Sequence, residues 1–320
     1  MQYRPLGASG LRVSEIGFGA WGIGGNAKGA VAYGPTDDSE SKRALLHAFD
    51  AGVTFFDTAD FYGFGHSEEV LGAGLAAVRS KVIIATKVGM LDAAGAQDFS
   101  TVHMRRSLEQ SLQRLGTDYI DLYQLHSPPI GLIGAGGEIL ACLEDMQREG
   151  KIRAFGISVR SPEEGIAAAR LGFGCLQVNF NLLDQRAAEN GLFDLCLERG
   201  VGVIGRTPLC FGFLTGQYSS RDKFAAEDHR NRWKPEQRDK WAGAYPLFQS
   251  ALRRPSEQTP AQFALRFCLS FPAISSVIPG MLTSAHVDDN TRASALGALA
   301  ASELSGIMEI YREHDFFLRQ

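Results

Sequence analysis

Along the 320-residue chain, short apolar runs ending in a polar or turn residue alternate with longer segments of helical periodicity. The runs occupy residues 15–19, 53–57, 82–87, 120–126, 152–158, 175–178, 201–206 and 275–278. Their length and their Val, Ile and Phe content predict strands. Between them, residues 39–51 place Ala44, Leu45, Ala48 and Phe49 on one helical face, and residues 102–115 do the same with Leu108, Leu112 and Leu115. Ser161, followed by Pro162, Glu163 and Glu164, is a helix start: a capping hydroxyl, proline in the first turn, and acids at the positive end of the dipole. Ser67-Glu68-Glu69 opens another helix. Ahead of all these, residues 3–6 and 11–14 flank a turn at Gly7 to Gly10 and predict an antiparallel hairpin.

Strands that alternate with helices imply right-handed crossovers and a parallel sheet. Eight of them favour a closed (β/α)8 TIM barrel over an open doubly wound sheet. A Gly-x-Gly-x-x-Gly turn after the first strand is missing, because the glycines of Phe18-Gly19-Ala20-Trp21-Gly22-Ile23-Gly24 have other spacings. A Rossmann domain is therefore not expected. The chain is about twice the usual ~150-residue domain, but one barrel with insertions uses that length, so residues 1–320 are expected to form a single domain. Residues 218–250, after strand seven, are long, charged and polar, with Trp233, Trp241, Tyr245 and Phe248 interspersed. Two readings are open: a loop folded over the barrel mouth, or an exposed insertion pinned to the barrel by its aromatics.

Composition narrows the partners. A formal charge of -4 gives no reason to expect nucleic acid or an acidic membrane surface. No segment approaches the ~20 apolar residues of a membrane span, and Met1-Gln2-Tyr3-Arg4-Pro5 lacks the apolar run of a signal peptide. The five cysteines (Cys142, Cys175, Cys196, Cys210 and Cys268) are scattered without metal-ligand or redox spacing. A cytoplasmic protein with no metal site is expected, acting on a small molecule; its oligomeric state is left open.

In such a barrel the active site lies at the C-terminal mouth, so polar residues that end strands are the candidates. Asp57, Lys87 and His126 end strands two, three and four, and Tyr62 follows Asp57 by five residues. One such residue alone is more often a structural ion-pair or hydrogen-bonding group; four at successive strand ends point at a common centre. A tyrosine is a poor acid–base group at neutral pH. An adjacent ammonium favours its phenolate and lowers its pKa, and a carboxylate holds that ammonium charged and aimed. A histidine offers a hydrogen bond to a carbonyl oxygen. This set suits proton transfer to a carbonyl oxygen while a cofactor supplies hydride.

The stretch Phe56-Asp57-Thr58-Ala59-Asp60-Phe61-Tyr62-Gly63, then Thr86-Lys87, then Leu125-His126-Ser127-Pro128-Pro129, resembles the Asp-Tyr-Lys-His tetrad of the aldo-keto reductases in order and context. The likeness runs nearly end to end, through Gly65-His66-Ser67-Glu68 to Asp289-Asn290. It implies an NADP(H)-dependent oxidoreductase in which Tyr62 gives the proton and Asp57, Lys87 and His126 tune it. NADPH/NADP+ is the cofactor the resemblance implies, bound extended across the barrel mouth, with NAD as the alternative.

The resemblance also implies a cofactor surface made of Gly19, Ala20, Trp21, Asp57, Ser158, Gln177, Arg206, Pro208, Leu209, Gly212, Leu214, Gly216, Gly280, His286, Asp289 and Asn290. Ser158 and Gln177 match residues that bond the nicotinamide amide, and Gly212 to Gly216 resembles a pyrophosphate-cradling loop. Five positions depart from the commonest pattern. Val159 stands where an asparagine is usual, and Arg206 where an aromatic stacks on nicotinamide; Gly280-Met281 and His286 replace Lys-Ser and Arg at the 2′-phosphate. A guanidinium beside a ring that is cationic when oxidised is expected to favour the reduced cofactor.

Trp21 is read either as a wall of the substrate pocket or as a barrel-end packing residue. Reduction of an aldehyde, ketone or open-chain sugar is the first functional expectation. The alternatives are an alcohol or sugar dehydrogenase of the same family and, least favoured, a redox-sensing regulatory subunit like the potassium-channel beta proteins.

Overall fold

A computed structural model of the chain describes residues 1–26, 32–134, 136–219, 221–252 and 257–318. An N-terminal hairpin pairs β1 (Tyr3–Pro5) with β2 (Arg12–Ser14), antiparallel, Tyr3 opposite Ser14. Eight parallel strands follow in sequential order: β3 (Phe18–Gly19), β4 (Phe55–Asp57), β5 (Ile83–Val88), β6 (Ile120–His126), β7 (Ile152–Ser158), β8 (Cys175–Asn179), β9 (Gly202–Arg206) and β10 (Ile274–Ile278). The seam between β10 and β3 closes through Val277 N to Glu15 O at 2.9 Å, Gly17 N to Val277 O at 2.8 Å and Gly19 N to Pro279 O at 2.9 Å. The fold is a (β/α)8 barrel, with each strand at the expected place. The first strand is shorter than the run 15–19, because its early residues bond across the seam.

Helices α1 (Asp38–Asp50), α2 (His66–Leu75), α3 (Thr101–Leu115), α4 (Glu138–Arg148), α5 (Pro162–Leu171), α6 (Arg186–Glu189) and α7 (Leu192–Arg199) lie between successive strands up to β9. They are followed by α8 (Pro235–Ala242), α9 (Tyr245–Gln249) and α10 (Pro260–Leu269) before β10, then α11 (Ser284–Leu296) and α12 (Ala301–Glu313). Local chemistry sets their starts. Ser161 Oγ accepts from Glu164 N at the head of α5, with Pro162 in the first turn, satisfying a donor that a helix leaves unpaired.

Alternation along the strands sorts the barrel interior into layers. Phe55, Ala85, Leu122, Ala154, Cys175 and Ile204 point inward and pack with Leu6, Leu11 and Val13 of the hairpin, which plugs the N-terminal end. At Gly7 (φ +54°) a Cβ would lie 2.2 Å from Gly202 N, so glycine lets the hairpin turn press on β9. Two residues further along each strand, the same face carries Asp57, Lys87, Gln124, Gly156, Gln177 and Arg206. His126 and Ser158 form the next step and are partners across β6 and β7. An apolar floor therefore supports a polar layer aimed at the mouth.

Candidate active site

The floor of the mouth is an ion pair. Lys87 Nζ donates to Asp57 Oδ1 at 2.5 Å, to Thr58 O at 2.8 Å and to Tyr62 Oη at 3.2 Å. Lys87 is 0% exposed and Asp57 1%. The other carboxylate oxygen, Asp57 Oδ2, accepts from Gln177 Nε2 at 2.8 Å and Gln124 Nε2 at 3.2 Å. Burial works against the charge on Lys87, but Asp57 and Tyr62 together outweigh it and the pKa ends above its ordinary value. A buried pair of this kind needs its remaining valences filled, and the two glutamines do that.

Tyr62 enters from the loop after β4. Gly63, Phe64 and Gly65 follow it with φ of +59°, +55° and +99°. A Cβ on Gly63 would lie 2.2 Å from Gly24 O, so this turn is seated against the loop after β3. Among the described residues, five non-glycine residues have positive φ: Phe64, Ser127, Thr207, Cys210 and Phe211. All follow strand ends at the mouth, where local strain often accompanies function.

The Tyr62 and His126 rings meet edge to face, centroids 5.7 Å apart. Burial raises the Tyr62 pKa, and Lys87 lowers it by less. The lowering expected from the ammonium is thus present but does not prevail, and Tyr62 stands as a phenol at neutral pH. Burial, then the charges of Lys87 and Arg206, push the His126 pKa well below its ordinary value. His126 is therefore a neutral imidazole, with a buried Nδ1 that has no hydrogen-bond partner among the described residues.

A cavity of about 660 Å³ opens above these groups. Its inner end is lined by Gly19, Trp21, Asp57, Tyr62, His126, Ser158, Gln177 and Arg206. Pro208, Leu209 and Gly212 line its side, and Gly280, His286, Asp289 and Asn290 line the outer end beside the start of α11. Ala20, Leu214 and Gly216 are not among the lining residues; Ala20 and Leu214 are fully buried. Lys87 is not itself among the lining residues and reaches the cavity through Tyr62. At the outer end His286 Nδ1 accepts from Leu282 N at 3.3 Å, which leaves the ring proton on Nε2. Asp289 Oδ1 accepts from Thr259 Oγ1 at 2.9 Å and from Gln262 Nε2 at 2.7 Å.

Other lining residues are not evident from the sequence. Tyr33, Phe211 and Arg230 line the cavity, and Gln124 supports it from the polar layer. Gln124 carries a legible signal, since it shares the strand face of His126 two residues earlier. Tyr33 and Arg230 have none, because loop-to-loop contacts place them. Asn26 Nδ2 donates to Glu227 O at 2.7 Å, and Trp21 stacks on His229 at 4.4 Å. Arg230 is held by Asp228 through Nη2 at 2.5 Å. In the segment after β9, residues around 227–233 thus fold over the mouth, while Trp233 and Trp241 pack on Phe211. Each of the two readings of 218–250 describes part of it.

The Aldo/keto reductase family sequence model matches residues 15–312. The chain belongs to this family. As an aldo/keto reductase it is 31% identical over 307 residues to L-galactose dehydrogenase of Arabidopsis thaliana, covering 92% of this chain and 88% of that one. Its fold is similar to the glycerol dehydrogenase of Gluconobacter oxydans (TM-score 0.81, 26% identity, 99% and 97% of the two chains). It is also similar to the holo form of an aldo-keto reductase from Bacillus halodurans (TM-score 0.77, 29% identity, 97% and 96%). Membership makes it an oxidoreductase of a family that generally uses nicotinamide cofactors. Among the described residues no helix is long and apolar enough to cross a membrane, and no cluster of His, Cys, Asp or Glu could hold a metal.

Proposed function

We propose that this aldo/keto reductase is an NADP(H)-dependent carbonyl reductase of the cytoplasm, folded as one barrel domain, with Tyr62 as its proton donor. The observation that carries the proposal is Lys87 Nζ, bonded at once to Asp57 Oδ1 and Tyr62 Oη on the cavity floor. Burial keeps the Tyr62 phenol protonated and ready to give its proton to a carbonyl oxygen. The Lys87 ammonium then faces the phenolate left behind and stabilises it, as preorganised charge does in a buried site. Asp57 keeps Lys87 charged and aimed. His126, neutral, gives an N–H to the same carbonyl oxygen and orients it.

The residues present fit a nicotinamide dinucleotide. The cavity is lined by both polar and apolar residues and bordered by the turn at Cys210–Thr215, whose Phe211 and Gly212 have φ of +57° and +91°. Ser158, Gln177 and Arg206 would hold the nicotinamide end. The 208–216 turn would hold the pyrophosphate, and Gly280, His286, Asp289 and Asn290 the adenosine. When bound, the cofactor supplies the hydride.

A second reading, oxidation of an alcohol or sugar on the same groups, is favoured by the relatives named L-galactose dehydrogenase and glycerol dehydrogenase. A panel of aldehydes, ketones and open-chain sugars with NADPH and NADH, run beside alcohols with the oxidised cofactors, distinguishes the two. Turnover faster for carbonyls with NADPH is expected. Turnover confined to alcohols would replace the first reading by the second, and no turnover with any pair would remove both.

A further inference from the structure

The charges at the inner end of the cavity do not balance. Lys87 and Asp57 cancel as a pair at 2.5 Å. Tyr62 stays a phenol and His126 a neutral imidazole, each held so chiefly by burial. That leaves Arg206. Its Nη2 donates to Val159 O at 3.2 Å, while its Nε is buried and has no hydrogen-bond partner among the described residues. No described carboxylate forms an ion pair with it. Arginine remains charged even where burial pulls its pKa down. Its field reaches both neighbours, since it depresses the pKa of Tyr62 and of His126.

We propose that Arg206 selects the oxidation state of the bound cofactor: its unpaired guanidinium disfavours the cationic, oxidised nicotinamide and leaves the neutral, reduced ring unpenalised. This rests on the reading that the nicotinamide occupies the inner end of the cavity. The chemistry makes the comparison clean. Gain of a hydride, two electrons and one proton, takes the ring from +1 to 0. The pyrophosphate, both riboses and the adenine are the same in the two forms. Their contacts cancel in the ratio of dissociation constants, and the ratio isolates the charge at the ring. For two unit charges a few ångströms apart in a partly buried site, the expected preference is about tenfold or more. In a mixed cofactor pool the consequence is a site loaded with the reduced form and prompt release of the oxidised one.

The test is a fluorescence titration of the full chain with NADPH and with NADP+, using Trp21 in the cavity wall as reporter. Wild type is compared with Arg206→Gln and Arg206→Lys. The wild-type Kd for NADP+ is expected to exceed that for NADPH by about tenfold or more. Arg206→Gln should bring the ratio toward one, and Arg206→Lys, which keeps the charge, should retain most of it. A merely structural role, through the bond to Val159 O, would weaken both forms equally. An unchanged ratio in Arg206→Gln therefore overturns the proposal. A wild-type ratio at or below one overturns it without any variant. Failure of wild type to bind either form would instead remove the cofactor reading itself.

Discussion

At the floor of the barrel mouth, Asp57, Lys87, Gln124 and Gln177 are buried and bonded to one another, whereas at the outer rim His286 is exposed and Gly280 has open space around it. The floor is made by strand parity: four strand ends, one face, and a geometry the barrel itself imposes. The rim is made by the head of α11 and its neighbours, where the polar groups bond mainly to backbone or to α10. The groups proposed to handle the proton are thus fixed by the fold, whereas the grip proposed for the far end of a cofactor depends on a few surface residues. Replacing one residue should thus have unlike effects at the two ends.

The largest expected effect is on the floor. Lys87→Met strands the Asp57 carboxylate without a counter-charge in a buried site, which costs about 3–5 kcal/mol. A thermal melt reads this as a drop in Tm of roughly 6–20 °C, at ~2–4 °C per kcal/mol for a chain somewhat shorter than this one. At the rim, Asp289→Ala removes hydrogen bonds to Thr259 and Gln262 and should cost only about 0.5–1.5 kcal/mol. Equal losses in the two variants would erase the contrast.

Next comes His286→Arg. The wild-type ring presents one N–H, whereas a guanidinium brings charge and a fork of donors. NADP(H) affinity should rise about tenfold, or ~1.4 kcal/mol, with NAD(H) affinity unchanged in the same titration. Equal gains for both cofactors would place the 2′-phosphate elsewhere.

The smallest effect concerns the loop that seats Tyr62. His66 Nδ1 lies 3.0 Å from Gly24 O and Nε2 3.1 Å from Asp38 Oδ2. Both partners only accept, so the ring binds them best as an imidazolium. Burial opposes that charge, but these two partners outweigh it and raise the pKa above the ordinary 6.5. A raised folded pKa gives stability that is complete below about pH 6.5 and lost as pH rises through the folded value. With the ring partly exposed, the loss is within about 1 kcal/mol. Melts of wild type should decline slightly above pH 6.5 relative to His66→Asn, and parallel profiles would dismiss the clamp.

Much of this was legible in the sequence, for a physical reason. Eight apolar runs with turn residues between them leave little choice but a parallel barrel, and Asp57, Lys87 and His126 stood out because each ends a run on the inward face. Gln124 sits on that same face, but a glutamine alone signals no chemistry. Tyr33, Phe211 and Arg230 were beyond reach because long loops meeting over the mouth place them, and neither periodicity nor spacing encodes that meeting. The protonation state of Tyr62 is likewise not encoded in spacing. The ammonium was visible in the sequence, but the burial that outweighs it was not.

The claim that Tyr62 handles the proton is tested most directly by Tyr62→Phe, in which kcat/KM for a carbonyl substrate and the Kd for NADPH are measured on the same protein. The phenylalanine keeps the ring against His126 and removes only the hydroxyl facing Lys87. An NADPH affinity within about twofold of wild type and a fall in kcat/KM of about 10²–10⁴-fold are expected. Undiminished turnover in that variant would contradict the claim.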